Sequence, residues 1–164
     1  MHQVTRLDMK NLTINDDAPD FNMITTSNSI INLGHYEGKN LVLYFYPKDN
    51  TPGCTIEAQK FNEAISEFNK LNTIILGVSK DNIASHQKFK DKLCLKFELG
   101  YDETGKIFED YGVLKEKSMF KNTFLAISRT TFLINQKAKI AAIWPKVNIT
   151  QHSNEVLNMV KNTI

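Results

Sequence analysis

The segment LVLYFYPKDNTPGCTIEA, residues 41–58, decides the fold of this chain. Its first six residues are all apolar or aromatic, a pattern that is typical of a strand buried on both faces. A polar loop follows and leads into Thr51-Pro52, where a hydroxyl side chain before a proline is typical of a helix start. One of the chain's two cysteines, Cys54, therefore lies where a buried strand turns into a helix.

Hydrophobic patterning after this segment predicts a parallel pair of strands. Residues 73–79 form a second apolar run, and the stretch between the two runs has the pattern of an amphipathic helix. Because strand, helix and strand follow one another at these lengths, we expect a βαβ unit. The apolar positions of the intervening helix recur at three- and four-residue steps: Ala58, Phe61, Ala64, Ile65 and Phe68.

Later segments complete an α/β fold. Strands are expected at 130–134 and 140–144, and the short polar stretch between them predicts a hairpin. The order of elements predicts an α/β sandwich of thioredoxin type, with a central mixed sheet and helices on both faces. Three further helices are expected: Asn82 to about Leu93, a short helix after the turn at 101–105 that ends near Tyr111, and a final helix with Val156, Val160 and Ile164 on the core.

Composition places the chain among ordinary globular proteins. It has 164 residues, of which 41% are hydrophobic and 23% are charged, and this length suits one domain with a substantial core. We expect residues 9–164 to form that domain, and residues 1–8, which show no periodicity, to form a disordered tail. The net charge of +2 is too small to indicate a nucleic-acid or membrane partner.

Cysteine usage and the N-terminal sequence favour a reducing compartment. The two cysteines are forty positions apart, which is no disulfide framework, and no Cys/His cluster has the spacing of a metal site. The N-terminal stretch lacks the hydrophobic core of a secretory signal, and no apolar run approaches the roughly 18–20 residues of a membrane helix. We therefore expect a cytoplasmic protein without a metal or another cofactor.

The position of Cys54 favours a reactive thiolate. The start of a helix leaves backbone N–H groups unpaired and carries partial positive charge, which stabilises an anionic sulfur. Gly53 would leave the backbone room to approach a small substrate closely. A lone cysteine is more often a small buried hydrophobe, but the polar, Pro- and Gly-rich setting at a strand-to-helix junction favours the reactive role.

The pattern Pro47-x-x-x-Thr51-x-x-Cys54 resembles the active-site motif of the peroxiredoxins. The wider segment 41–58 resembles their bacterioferritin comigratory protein subfamily, also called Bcp or PrxQ. This resemblance covers about residues 9–164, and its pieces follow in the family's order. The other matching stretches are Ala18-Pro19-Asp20-Phe21, Gly77-Val78-Ser79, Ser85-His86-Gln87-Lys88-Phe89, Asp102 to Lys106, Tyr111-Gly112-Val113, Arg129 to Ile134, and Trp144-x-x-Val147.

The resemblance implies a thiol-dependent peroxidase that reduces hydrogen peroxide and small organic hydroperoxides. Cys54 would be the peroxidatic residue, whose thiolate attacks a peroxide oxygen and becomes a sulfenic acid. Arg129 would supply a permanent cation, and Glu57 would pair with the arginine and position it. Thr51 would hydrogen-bond the peroxide and the thiolate, and Pro47 would cover the pocket and exclude water. The family also implies a monomer.

The second cysteine leaves two ways of recycling open. Many members of the subfamily carry a resolving cysteine five residues after the peroxidatic one, where this chain has Gln59. Others carry it in the next helix, near the position of Lys90 here, and Cys94 lies four residues beyond. If Cys94 resolves the sulfenic acid, an intramolecular disulfide forms and thioredoxin reduces it. If Cys94 is instead buried between Leu93 and Leu95, the chain is a one-cysteine enzyme reduced by an external thiol such as glutathione or glutaredoxin.

Three other function classes compete with the peroxidase. A disulfide oxidoreductase normally needs Cys-x-x-Cys, and Glu57 stands at the second cysteine position of that pattern. A redox-sensing or chaperone-like module would use the same thiol without turnover. A cysteine hydrolase would need His86 or His152 beside the sulfur, and neither has a supporting motif. We expect His152 and Trp144 to be structural.

Overall fold

The computed structural model describes residues 11–163, so the predicted tail at residues 1–8 and the predicted core position Ile164 lie outside the described residues. Nine strands are present in this range: β1 Met23–Thr25, β2 Ile30–Ile31, β3 Asn40–Phe45, β4 Thr73–Val78, β5 Glu98–Tyr101, β6 Leu114–Met119, β7 Asn122–Ile127, β8 Thr130–Ile134 and β9 Ile140–Trp144. Its five α-helices are α1 Pro52–Glu63, α2 Ile65–Lys70, α3 Ile83–Leu93, α4 Lys106–Asp110 and α5 His152–Thr163. A short 3₁₀ helix, Leu33–Tyr36, precedes β3.

A mixed, seven-stranded sheet forms the centre of the fold, in the order β2-β1-β5-β4-β3-β8-β9. β3 pairs in parallel with β4 and antiparallel with β8, so the predicted βαβ unit and the mixed sheet are confirmed. The predicted hairpin is present as β8 and β9. Every residue of β3 is buried, and successive side chains supply opposite faces: Leu41, Leu43 and Phe45 on one, and Val42 and Tyr44, followed by Tyr46, on the other.

Helices cover both faces of this sheet, as a thioredoxin-like architecture requires. α1, α2, α3 and α5 pack on the face of Tyr44, through buried residues that include Phe61 and Val156. α4 packs on the opposite face through Ile107 and Phe108. The longest helices, α1 and α5, have 12 residues each. No helix within residues 11–163 is both long enough and apolar enough to cross a membrane.

Most predicted elements are present, and two local features differ. The helices expected from Asn82, after the turn at 101–105 and near the C-terminus are confirmed as α3, α4 and α5. The single helix expected across residues 58–68 is divided at Ala64, where φ is −94° and ψ is 4°, so α1 ends and α2 begins there. The hairpin of β6 and β7, which the sequence patterns do not predict, forms a separate two-stranded sheet whose side chains are mostly exposed.

Candidate active site

The β3–α1 loop, residues 46–51, carries the chain from the end of a central strand into a helix. Thr51 is the N-cap residue, with an extended backbone (φ −90°, ψ 157°), and Pro52 is the first residue of α1. This position suits proline, because its fixed φ fits a helix start and its missing N–H removes a donor that would lack a partner. Cys54 is the third helical residue, so its sulfur lies in the first turn of α1, as the sequence predicts.

Arg129 reaches Cys54 because of the register between two central strands. In the antiparallel pair of β3 and β8, Phe45 lies opposite Thr130, so residue 129 lies beside the start of the β3–α1 loop. The Arg129 guanidinium donates from Nη2 to Cys54 Sγ over 3.4 Å. Cys54 is only 1% exposed, whereas the Arg129 side chain is 20% exposed. Arg129 is therefore the member of this pair that meets solvent.

Glu57 holds the other arm of the guanidinium. It lies three residues after Cys54 on α1, and its Oε1 accepts a 2.7 Å hydrogen bond from Arg129 Nη1. The side chain is 1% exposed, and Oε2 has no hydrogen-bond partner among residues 11–163. Burial raises the pKa of the Glu57 carboxyl to about 7, although the charge and the hydrogen bond of Arg129 act in the opposite direction. The structure thus brings Cys54, Arg129 and Glu57 together.

Gly53 leaves space for the arginine. A side-chain carbon at this position would stand 3.0 Å from Ile149 Cδ1 and 3.3 Å from Arg129 Nη2, both tighter than ordinary van der Waals contact. From the sequence we expect this space to admit an approaching substrate, and in the structure Ile149 and Arg129 border it. Gly53 therefore allows the guanidinium to reach the sulfur, since a larger residue would push against it.

Thr51 and Pro47 lie on the β3–α1 loop in different surroundings. The Thr51 hydroxyl donates to the Lys48 carbonyl over 2.9 Å and makes no capping bond to α1. In this geometry the one hydroxyl proton goes to that carbonyl, and the oxygen keeps the capacity to accept a hydrogen bond. The bond between Thr51 and the thiolate that the resemblance implies stays a prediction. A bond from a peroxide O–H to Thr51 stays a prediction. Pro47 is exposed, and its role as a pocket cover also stays a prediction.

Cys94 is the residue that ends α3. The helix stops at Leu93, and Cys94 is its C-cap with left-handed backbone geometry (φ 52°, ψ 46°). Of the two alternatives left open by the sequence, burial of Cys94 between its flanking leucines does not occur, because the chain turns here so that Leu95 is buried while Cys94 is exposed. Asn62 of α1 donates to the Cys94 carbonyl over 3.2 Å and accepts from the Lys96 N–H over 2.7 Å. These two bonds fix the end of α3 against α1.

His152 is a buried imidazole that packs close to the arginine. It is 1% exposed, and its Nε2 shares a 2.7 Å hydrogen bond with Thr131 Oγ1. Its ring makes edge contacts with Phe61 and with the half-buried Trp144. Burial, and then the charge of Arg129, lower the pKa of His152 to about 4. This packing fits a structural role for the neutral ring.

We expect the fold to lose stability in acid through His152. The unfolded chain protonates this imidazole near pH 6.5, whereas the folded chain resists protonation down to about pH 4. Stability is therefore lost as the pH falls through this window, by roughly 3 kcal/mol at about 1.36 kcal/mol per pH unit. Denaturant unfolding of wild type and His152→Gln at pH 7 and pH 4 should show a difference that shrinks in acid by this amount. His35→Gln, at an exposed histidine, is the control, and a constant difference for His152→Gln would contradict the expectation.

The two buried histidines do not support cysteine hydrolase chemistry. The ring nitrogens of His86 contact Asp49 and the Gly100 carbonyl, and Nε2 of His152 contacts Thr131. Within residues 11–163, no group of three or more His, Cys, Asp or Glu side chains is arranged to hold a metal ion. The chemistry that the site offers is that of a sulfur nucleophile beside a fixed cation.

Comparison with known proteins decides the family. The family model described as the AhpC/TSA family matches residues 14–143. The chain belongs to this family. It is 41% identical over 146 residues to the putative peroxiredoxin bcp of Coxiella burnetii, a match that covers 89% of this chain and 97% of that protein. Peroxiredoxin Bcp of Bacillus subtilis is 39% identical, over 92% of this chain and 96% of its own length.

Solved peroxiredoxin structures share the fold. A cysteine-to-serine variant of PrxQ from Xylella fastidiosa superposes with a TM-score of 0.88 at 34% identity, covering 94% of this chain and 98% of that one. A bacterioferritin comigratory protein from Xanthomonas campestris, described for its alkyl peroxide reduction activity, gives 0.84 at 36% identity, covering 87% and 91%. The resemblance to Bcp/PrxQ and the thioredoxin-like fold are thereby confirmed. As a peroxiredoxin of this type, the chain is a thiol-dependent peroxidase.

Proposed function

We propose that Cys54 is the peroxidatic residue and that it reduces hydrogen peroxide and small organic hydroperoxides. The observation that carries this proposal is the 3.4 Å contact between Arg129 Nη2 and Cys54 Sγ at the start of α1. A fixed cation and the unpaired N–H groups of a helix start both favour a sulfur anion over a neutral thiol. The alkyl peroxide reduction described for the relative from Xanthomonas campestris supports the same substrate class.

The first step transfers one oxygen atom to sulfur. The Cys54 thiolate attacks the terminal peroxide oxygen, an S–O bond forms, and the O–O bond breaks. The products are a sulfenic acid and an alkoxide or hydroxide, which takes up one proton and departs as alcohol or water. The sulfur is oxidised by two electrons, and the peroxide is reduced by two. Negative charge thus moves from sulfur to the departing oxygen, and a site that stabilises this movement accelerates the step.

Arg129 and Glu57 suit this movement of charge. The guanidinium is a planar, permanently charged fork whose Nη1 is held by Glu57 while Nη2 faces the sulfur. Donors that are oriented before the reaction stabilise the transition state without reorganising during it. We further propose that Thr51 accepts the peroxide O–H, since its own proton goes to the Lys48 carbonyl, and that Pro47 covers the substrate.

We propose that Cys94 resolves the sulfenic acid after a local rearrangement. Its exposure supports this role, because redox-active cysteines are usually accessible. Asn62 holds the Cys94 backbone at a point eight residues from Cys54, which is about 12 Å along a helix. A disulfide needs the two Cα atoms within about 7 Å of each other. Since Cys54 is buried and Cys94 is exposed, we propose that one of the two segments opens first. The Cys94 thiolate then attacks the sulfenic sulfur, the S–S bond forms as the S–O bond breaks, and the departing hydroxide takes up one proton and leaves as water.

Thioredoxin is the reductant that we propose for the resulting disulfide, which it would return to two thiols by exchange. The alternative is a one-cysteine cycle, in which glutathione or glutaredoxin reduces the sulfenic acid without Cys94. For either cycle we propose a cytoplasmic setting, which the cysteine usage favours, and a monomer, which the family resemblance implies. Redox sensing or a chaperone-like role is the remaining candidate, and it differs from both cycles because it involves no turnover of peroxide.

One equivalent of hydroperoxide tests both the function and the role of Cys94. Wild type should consume the peroxide, and its intact mass should fall by two hydrogen atoms as the disulfide forms. Cys94→Ser should consume the peroxide equally but gain one oxygen atom, held as the sulfenic acid. If wild type leaves the peroxide unconsumed, the proposed function is wrong. If wild type gains one oxygen as the variant does, the peroxidase activity stands and Cys94 is not the resolving residue.

A further inference from the structure

Asp49 is a buried acid in the β3–α1 loop, where the residues on either side of it are exposed. Its side chain is only 3% exposed. Three donors converge on its carboxylate: the Tyr46 hydroxyl reaches Oδ1 over 2.5 Å, and Ser85 Oγ and His86 Nδ1 reach Oδ2 over 2.7 Å and 2.8 Å. Because Ser85 and His86 belong to α3, these bonds join the loop to that helix.

His86 connects the same acid to the sheet. Its ring is fully buried in the first turn of α3, and Nε2 lies 2.9 Å from the carbonyl oxygen of Gly100 on β5. Each ring nitrogen thus faces an acceptor oxygen, a carboxylate on one side and a backbone carbonyl on the other. Only an imidazolium, with a proton on both nitrogens, donates to both at once. The geometry therefore matches a buried ion pair between His86 and Asp49.

The surroundings of the pair support an ionised carboxylate. Burial by itself opposes ionisation, but the hydrogen bond and charge of His86, with the hydroxyls of Tyr46 and Ser85, outweigh it and hold the pKa of Asp49 below its ordinary range. The Tyr46 hydroxyl stays protonated, because burial raises its pKa. Asp81 is a further charged neighbour, and its carboxylate accepts a 2.7 Å hydrogen bond from the Asp49 backbone N–H.

The ion pair ties together two segments that the proposed reaction uses. The β3–α1 loop carries Pro47 and Thr51, and Cys94 is the C-cap residue of α3. Resting on the function proposed above, we propose that His86 and Asp49 are positioning residues whose ion pair locks the β3–α1 loop against α3 and β5, and so holds the start of α1 in its peroxide-reactive conformation. Moving the loop away from α3 would leave one of the two charges unpaired in the interior, which is strongly unfavourable. The ion pair therefore opposes this movement.

The protonation of His86 is the first test, and it uses the wild-type full chain. Nitrogen-15 NMR of the histidine rings at pH 7 should show both ring nitrogens of His86 protonated, with His86→Gln identifying the signal by its disappearance. A ring with a single proton at pH 7 would overturn the proposal. Since this measurement involves no peroxide, its result is separate from the success or failure of the proposed function.

The second test is the second-order rate constant for oxidation of Cys54 by hydrogen peroxide, read from intact mass after rapid quenching. Asp49→Asn keeps the shape of the side chain but removes the charge, and we expect oxidation about tenfold to a hundredfold slower. Asp49→Asn/His86→Gln removes both charges and should be no slower than Asp49→Asn alone, because the two residues act as one unit.

Lys92→Ala is the matched control. Lys92 Nζ contacts Asn50 Oδ1 over 2.6 Å and so joins the same loop to the same helix, but at the surface. Its removal should leave the rate within about twofold of wild type. A folded Asp49→Asn protein with the wild-type rate would overturn the positioning role, as would losses from Asp49→Asn and His86→Gln that simply multiply in the double variant. If Asp49→Asn does not fold, the ring-proton measurement on wild type decides.

Discussion

Cys54→Ser should lower peroxide turnover to the background of the assay. A serine hydroxyl is not ionised near neutral pH, and it attacks a peroxide only if a neighbouring base removes its proton. Within residues 11–163, neither buried histidine hydrogen-bonds Cys54: the ring nitrogens of His86 face Asp49 and the Gly100 carbonyl, and Nε2 of His152 contacts Thr131. The measurement is steady-state consumption of hydrogen peroxide with the thiol reductant in excess.

Two controls make this result specific to sulfur chemistry. Cys94→Ser, which loses the other cysteine, should still consume one equivalent of peroxide in a single turnover. Thermal unfolding of Cys54→Ser should show that the variant keeps a cooperative fold. Turnover by Cys54→Ser above about a few per cent of the wild-type rate would contradict the assignment of Cys54 as the nucleophile.

Arg129→Ala should slow the oxidation of Cys54 by about 10²–10³-fold, the usual effect of removing one oriented donor from a developing charge. The guanidinium contacts both Cys54 Sγ and Glu57 Oε1, so its loss removes the cation beside the sulfur and leaves a buried carboxyl without its partner. The measurement is the second-order rate constant with hydrogen peroxide at pH 7, taken by rapid mixing.

Arg129→Lys separates charge from geometry. Lysine keeps a positive charge but lacks the rigid fork that holds Glu57 with one arm and faces Cys54 with the other. We expect a rate between those of wild type and Arg129→Ala. Equal oxidation rates for Arg129→Ala and wild type would contradict a role for Arg129 in the reaction. The proposed mechanism would then lack the cation that stabilises the reacting oxygens.

The strand and the helix that carry the thiol were predictable because their signals are local. An uninterrupted apolar run indicates a strand covered on both faces, and all six residues of β3 are buried. Thr51 followed by Pro52 marks the start of α1, where the structure has an N-cap and a first helical residue. Both features are predicted from residues that lie within the same strand or the same helical turn.

The meeting of Arg129 with Cys54 depends on strand register, which no local pattern encodes. The two residues are 75 positions apart, and they meet because Phe45 pairs with Thr130 across β3 and β8. Resemblance to a family, rather than periodicity, pointed to this arginine. Gly53 shows the same limit, since the side chains that border it come from residues 129 and 149.

The features that sequence reasoning missed have physical reasons in common. The β6–β7 hairpin turns at Phe120 and Lys121, whose φ angles are +51° and +68°, where asparagine or glycine would normally signal the turn. Leucines beside Cys94 suggested burial, but the helix ends one residue earlier. Asp49 stands in a polar loop, and its burial depends on His86, 37 positions away. Long-range partners thus override local polarity.

Locating the first oxygen atom taken from peroxide tests directly whether Cys54 is the peroxidatic residue. Wild-type protein would be mixed with less than one equivalent of hydrogen peroxide in the presence of a sulfenic-acid trapping reagent, then digested and mapped by mass. We expect the label on the peptide that contains Cys54, with the Cys94 peptide unlabelled. Label confined to Cys94, or peroxide consumed with neither a label at Cys54 nor a disulfide between Cys54 and Cys94, would contradict the role of Cys54.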